Sequence, residues 1–191
     1  MDQQLRCVTA PVNIVPLICS VRSFPHHAPA TPKKMAFLTF LSSHQEFMHT
    51  LFIAQTYKSH LKILSDEQAT IIFRNIEELF AVSKYFTMQL GKFQRSDPNI
   101  YTAIGPLLLT LIKGIRRPFI RYCANMQNSE KTLQVCMYDP LVNADISTIK
   151  DQLDTSIQLV IALRSPLVQL HEYAVHLQVC PFLFVNKLVM K

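Results

Sequence analysis

Few residues in this chain are spaced for covalent chemistry. His26 and His27 are adjacent, so they cannot face one ligand from the same side of a helix; with Pro25 and Pro29 beside them they read as an exposed loop rather than a metal site. The five cysteines, Cys7, Cys19, Cys123, Cys136 and Cys180, leave one unpaired under any connectivity, and none forms a Cys-x-x-Cys pair, which argues against zinc and for reduced thiols. Cys123 has no neighbouring base and reads as a small core residue. Gly-rich phosphate loops, nucleophile elbows and His-Glu zinc motifs are absent. Arg116, Arg117 and Arg121 read as a solvated face rather than a phosphate site. The chemistry on offer is recognition by surfaces, with no cofactor and no metal.

Surfaces need helices to hold them, and the chain supplies these. Hydrophobic residues make up 49% and charged ones 17%, too apolar for wholesale disorder. Three glycines and long runs of 3.6-residue period exclude a turn-rich β protein. Ser65 to Gly91 is predicted as one long amphipathic helix: Ser65 and Gln68 form a capping box, and Asp66 and Glu67 suit the positive end of the dipole. Ile72, Ile76, Leu79, Phe86 and Leu90 make its stripe, and Gly91 is its expected stop. Lys33 to Leu64 is a second helix, with Phe40, Phe47, Leu51, Ala54, Leu61 and Leu64 on one side. A third starts with Asp97 as cap and Pro98 at its first position, bent or interrupted at Pro106 and Pro118. After a turn at Asp139-Pro140 a fourth runs from about Ala144 to Leu163, burying Ile146, Ile149, Leu153, Ile157, Val160 and Ile161, and Ser165 to Gln178 follows.

Three of these segments carry the motifs of a known family, and so does the last. Ile72, Phe73, Asn75, Ile76, Glu77, Glu78 and Leu90 resemble the second conserved helix of the Dbl-homology domain, the module that promotes nucleotide exchange on Rho-family GTPases. Ser43, Phe47, Met48, Leu51, Tyr57 and Leu61 match its first helix; Ile104, Leu108, Phe119, Tyr122, Cys123 and Asn125 match its third. Pro166, Leu170, Tyr173, Val175 and Leu177 hold the places of its third conserved region. The resemblance covers roughly residues 35 to 178 and implies an all-α, elongated helical bundle, incomplete at the C-terminus, where the family's long final helix and pleckstrin-homology domain have no counterpart.

The resemblance also implies a GTPase-contact surface at Ser43, His44, Phe47, Pro166, Gln169, Glu172 and Tyr173. Two positions depart from the pattern. The family's switch-contacting Glu falls on His44, which reads as a solvent-facing polar residue, with Glu46 two residues out of register and so about 200° round the helix. Glu172 stands where the family has a cation, inverting a charge at the expected contact. Residues 1–32 are a Pro-rich leader without period, 33–178 the helical domain and 179–191 an apolar tail. No signal peptide is visible, and Val12 to Cys19, broken by Pro16, is too short to span a bilayer, so a cytoplasmic location is expected.

The functional expectation is therefore a guanine nucleotide exchange factor for Rho-family small GTPases, acting without covalent chemistry, its activity weakened or lost in this form. The alternative is a non-catalytic helical scaffold or regulatory module for a GTPase or signalling partner. A net charge of +6, with Lys33, Lys34, Arg116 and Arg117, adds an anionic membrane surface as a partner to test. No nucleic-acid motif is present.

Overall fold

The computed structural model describes residues 32–96 and 104–179, and these form seven helices with no strand among the described residues. They are α1 (Pro32–His60), α2 (Asp66–Phe73), α3 (Ile76–Ser96), α4 (Ile104–Ala124), α5 (Met126–Met137), α6 (Pro140–Gln152) and α7 (Leu159–Val179). The leader, the Asp97–Pro98 cap and the apolar tail expected from the sequence lie outside the described residues. The fold is the expected all-α bundle. α1 is its spine: it packs most extensively against α7 and next against α3, while α2 rests on α5 and α4 lies beside α3. The stripe predicted for residues 33–64 is buried throughout, although the helix ends at His60 and Leu61 and Leu64 lie just beyond it.

The helix expected over 65–91 is two helices. Its capping box is present, with Ser65 Oγ accepting from Gln68 N–H and Gln68 Oε1 accepting from Ser65 N–H. The chain then breaks at Arg74, whose φ of 51° lies where side chains crowd the backbone. Asn75 restarts it: its carbonyl accepts from Leu79 N–H and its amide donates to Glu78 Oε2 at 2.7 Å. Asn-Ile-Glu-Glu is thus a second helix-start pattern inside an unbroken apolar period, and the period masked it. Gly91 does not stop α3, because glycine permits a left-handed residue without requiring one and none of the described glycines adopts it.

A second break, at Asn125, lies against the first. Ser129 Oγ donates to Ile72 O at 2.7 Å, Arg74 Nη1 to Tyr122 O at 2.7 Å, and Asn75 Nδ2 to Pro118 O at 3.1 Å. The Ile72 and Tyr122 carbonyls, at the ends of α2 and α4, are thus each capped by a side chain from the other break, which satisfies groups that a helix end would otherwise bury bare. The Arg74 guanidinium also lies 3.7 Å over the Tyr122 ring.

Neither interior proline interrupts its helix. α4 continues through Pro118, whose ring would crowd the carbonyl of Gly114; that glycine is exposed and has open space around it. α7 continues through Pro166, and the Ala162 carbonyl that loses its N–H partner there accepts from Ser165 Oγ at 2.8 Å. The fourth helix expected over 144–163 is also divided. α6 starts earlier, at Pro140, with Asp139 Oδ1 accepting from Leu141 N–H. It ends before Asp154, which has φ 46°, and Thr155 Oγ1 then accepts from Ile157 N–H. The restart at Leu159 resets the helical phase, so Leu159, Ala162 and Leu163 are buried while Ile161, expected in the core, is exposed.

Candidate functional site

The residues named from the sequence as a contact surface converge on the α1–α7 seam. Ser43, His44 and Phe47 come from α1, and Pro166, Gln169, Glu172 and Tyr173 from α7. His44 is the correction. It is 0% exposed, not solvent-facing, because the α1 residues around it at helical spacing (Phe37, Phe40, Phe47 and Leu51) all turn to the core and carry it with them. Its ring lies 4.7 Å from the Phe86 ring and 6.0 Å from that of Tyr173. Glu46, about 200° round, is consequently exposed.

A buried imidazole must have both nitrogens satisfied, and here the partners fix the tautomer. Nε2 lies 3.3 Å from Ser83 O, which can only accept, and 3.0 Å from Thr87 Oγ1, whose own hydroxyl donates to Ser83 O. Nε2 therefore carries the proton, and Nδ1 accepts from the Tyr173 O–H at 2.6 Å. Burial pushes His44 down to about 4, with the Ser83 carbonyl opposing only in part. Burial likewise raises Tyr173, which keeps its hydroxyl protonated as the donor. Gln169, 4% exposed and beside that hydroxyl, where it partly opposes the rise, donates from Nε2 to Ser43 Oγ at 3.3 Å. One polar thread, Ser43–Gln169–Tyr173–His44–Thr87, thus ties α1, α7 and α3. It runs through an aromatic cluster in which Phe40 and Phe119 flank Tyr173 at 5.6 and 6.3 Å.

The seven residues differ in what they offer to a partner. Phe47, Pro166, Gln169, Tyr173 and His44 are buried and hold the seam; Ser43 and Glu172 are half-buried at its edge. The Glu172 carboxylate lies 3.6 Å from His176 Nε2, one turn along α7. Away from the seam, α7 exposes Leu167, Val168 and His171, none of which the family pattern implies as a contact. A helical wheel phased on Pro166, Gln169 and Tyr173 would have placed them outside. The pairs Arg121–Glu78 and Arg164–Glu130, at 3.0 and 2.7 Å, are exposed and tie α4 to α3 and α7 to α5.

Compared with known proteins, residues 37–179 match the model of the RhoGEF domain. The chain belongs to the RhoGEF domain family. Among solved structures, a chain from work on the structural role of the PH and C1 domains of the Vav1 exchange factor superposes on this RhoGEF domain with a TM-score of 0.66. The two are 21% identical, and the match covers 77% of this chain and 40% of that one, so the likeness concerns fold. No curated protein matches. No helix among the described residues of this RhoGEF domain is long and apolar enough to cross a membrane.

Proposed function

We propose that this RhoGEF domain promotes nucleotide exchange on a Rho-family small GTPase, meeting it across the outer edge of the α1–α7 seam. The observation that supports this reading most is the polar thread from Ser43 to Thr87, which locks three helices beneath that edge. Exchange makes no covalent bond: a factor of this kind binds the nucleotide-free GTPase better than the loaded one, and only that difference moves the equilibrium. A surface that yields on contact would lose the difference, so rigidity under the face is what the task needs. His44, Phe47, Gln169 and Tyr173 act here as positioning residues, while Ser43 and Glu172 meet the partner.

One observation favours a second reading, a helical module that binds a GTPase or signalling partner without exchange. Glu172, at the place where the resemblance implies a cation, is held beside His176 and presents a carboxylate at the seam's edge. Release of a fluorescent nucleotide from a panel of Rho-family GTPases, run beside capture of the nucleotide-free forms, separates the two. Accelerated release supports exchange; capture without acceleration supports the scaffold; neither removes both.

A further inference from the structure

α4 differs from its neighbours in charge. Between Ile104 and Ala124 it carries four cations, Lys113, Arg116, Arg117 and Arg121, and no carboxylate. Arg121 pairs with Glu78 on α3. Lys113, Arg116 and Arg117 are exposed and form no ion pair among the described residues. A solvated helix face ordinarily mixes both signs, which this one does not.

The same stripe exposes apolar side chains. Leu109, Lys113, Arg116, Arg117 and Ile120 follow one another at spacings of four, three, one and three residues, which places them on one side of the helix. Leu108, Ile115, Phe119 and Tyr122 point the other way, into the core. Leu109 is 45% and Ile120 55% exposed, so an apolar residue stands at each end of the cation run, roughly 17 Å apart. Cations flanked by exposed aliphatic groups suit a surface that is anionic at the headgroups and apolar just beneath them. An acidic protein face would complement the cations equally, but it would have to offer an apolar pocket at each end. A bilayer offers apolar depth everywhere along the stripe.

We propose that the outer stripe of α4 docks this chain on an anionic lipid surface, with the helix lying in the plane of the membrane and Leu109 and Ile120 entering the headgroup boundary. The site is separate from the α1–α7 seam and does not depend on the exchange reading. Each cation near such a surface is worth about a fivefold gain in partitioning, so the three together contribute on the order of a hundredfold.

The test is sedimentation of the full chain with vesicles of phosphatidylcholine containing about a third phosphatidylserine, against phosphatidylcholine alone. The wild type should bind the anionic vesicles, lose binding as salt rises from about 0.1 M to about 0.5 M, and ignore the neutral ones. Changing Lys113, Arg116 and Arg117 together to Gln should weaken binding on the order of a hundredfold. The same three-charge loss placed elsewhere, at Lys62, Lys131 and Lys150, should cost about fivefold or less. Leu109→Ser with Ile120→Ser should weaken binding about tenfold with the charges intact. All these positions lie at or near the surface, and an unchanged thermal melt certifies each variant as folded. Equal binding to neutral vesicles, equal losses from the two triple variants, or no binding would overturn the proposal. So would poly-glutamate binding as tightly as vesicles with Leu109→Ser and Ile120→Ser without effect, which would reassign the stripe to an acidic protein.

Discussion

Acid should loosen this bundle through His44 before it protonates the carboxylates. In the unfolded chain the imidazole titrates near its ordinary 6.5; in the fold, burial holds it at about 4. Above pH 6.5 both states carry a neutral ring and folding is indifferent to the proton. Below it the unfolded chain takes up a proton that the native chain refuses, so stability falls as pH falls, until the native ring also titrates near pH 4. The slope across that window is roughly 1 kcal/mol per pH unit, the loss from pH 7.5 to pH 5 about 2 kcal/mol, and the whole loss about 3 kcal/mol. Urea unfolding, followed by the helical circular dichroism signal, reads this directly: with a slope of about 2 kcal/mol per molar, the midpoint drops by about 1 M between pH 7.5 and pH 5. His44→Leu is the control. It leaves Tyr173 without its acceptor and should cost about 1–3 kcal/mol at pH 7.5, yet it removes the titration, so its midpoint should change far less over the same range. Parallel pH profiles for wild type and His44→Leu would refute the reasoning, because the histidine would then not be the group that links pH to the seam.

Four further outcomes follow from the same structure. Ser129→Ala and Ser83→Ala are one chemical change at two fully buried sites: the first bares Ile72 O and should cost about 1–3 kcal/mol, while the second removes a hydroxyl that has no partner and should be neutral or stabilising, both read from urea midpoints. Ile76→Asp, at a position with no exposure, buries a carboxylate without a partner and should abolish the cooperative melt. Glu172→Lys should raise nucleotide release about tenfold or more if the seam's edge meets a GTPase as proposed, the accompanying loss of the His176 pair being about 0.5 kcal/mol at most. His44→Glu, which the family pattern alone would suggest as a gain, should instead destabilise the fold, because the carboxylate would sit against the Ser83 carbonyl in a closed core; a stable, more active variant would show that α1 can rotate.

The sequence by itself determined the class of fold, the family and the core. A 3.6-residue period is a local property of side-chain order, so Phe40, Phe47, Leu51, Ile76, Leu79, Phe86 and Leu90 could be assigned to the interior before any neighbour was known. Local capping was equally visible where it stood at the head of a run, as at Ser65, whereas Asp139, expected as a turn residue, proved to be the cap of α6. The tertiary structure decided where the runs are cut and which polar residues lie inside. Arg74 tolerates a positive φ because Tyr122, two helices away in the chain, receives its guanidinium. Pro166 is tolerated where Ser165 rescues a carbonyl. His44 is buried because Tyr173, 129 residues further on, supplies the hydrogen its Nδ1 needs, while Thr87 and Ser83 take the one on Nε2. Periodicity reports which way a residue faces, but whether a polar atom can remain there depends on a donor or acceptor that only the packed chain brings within 3 Å or so.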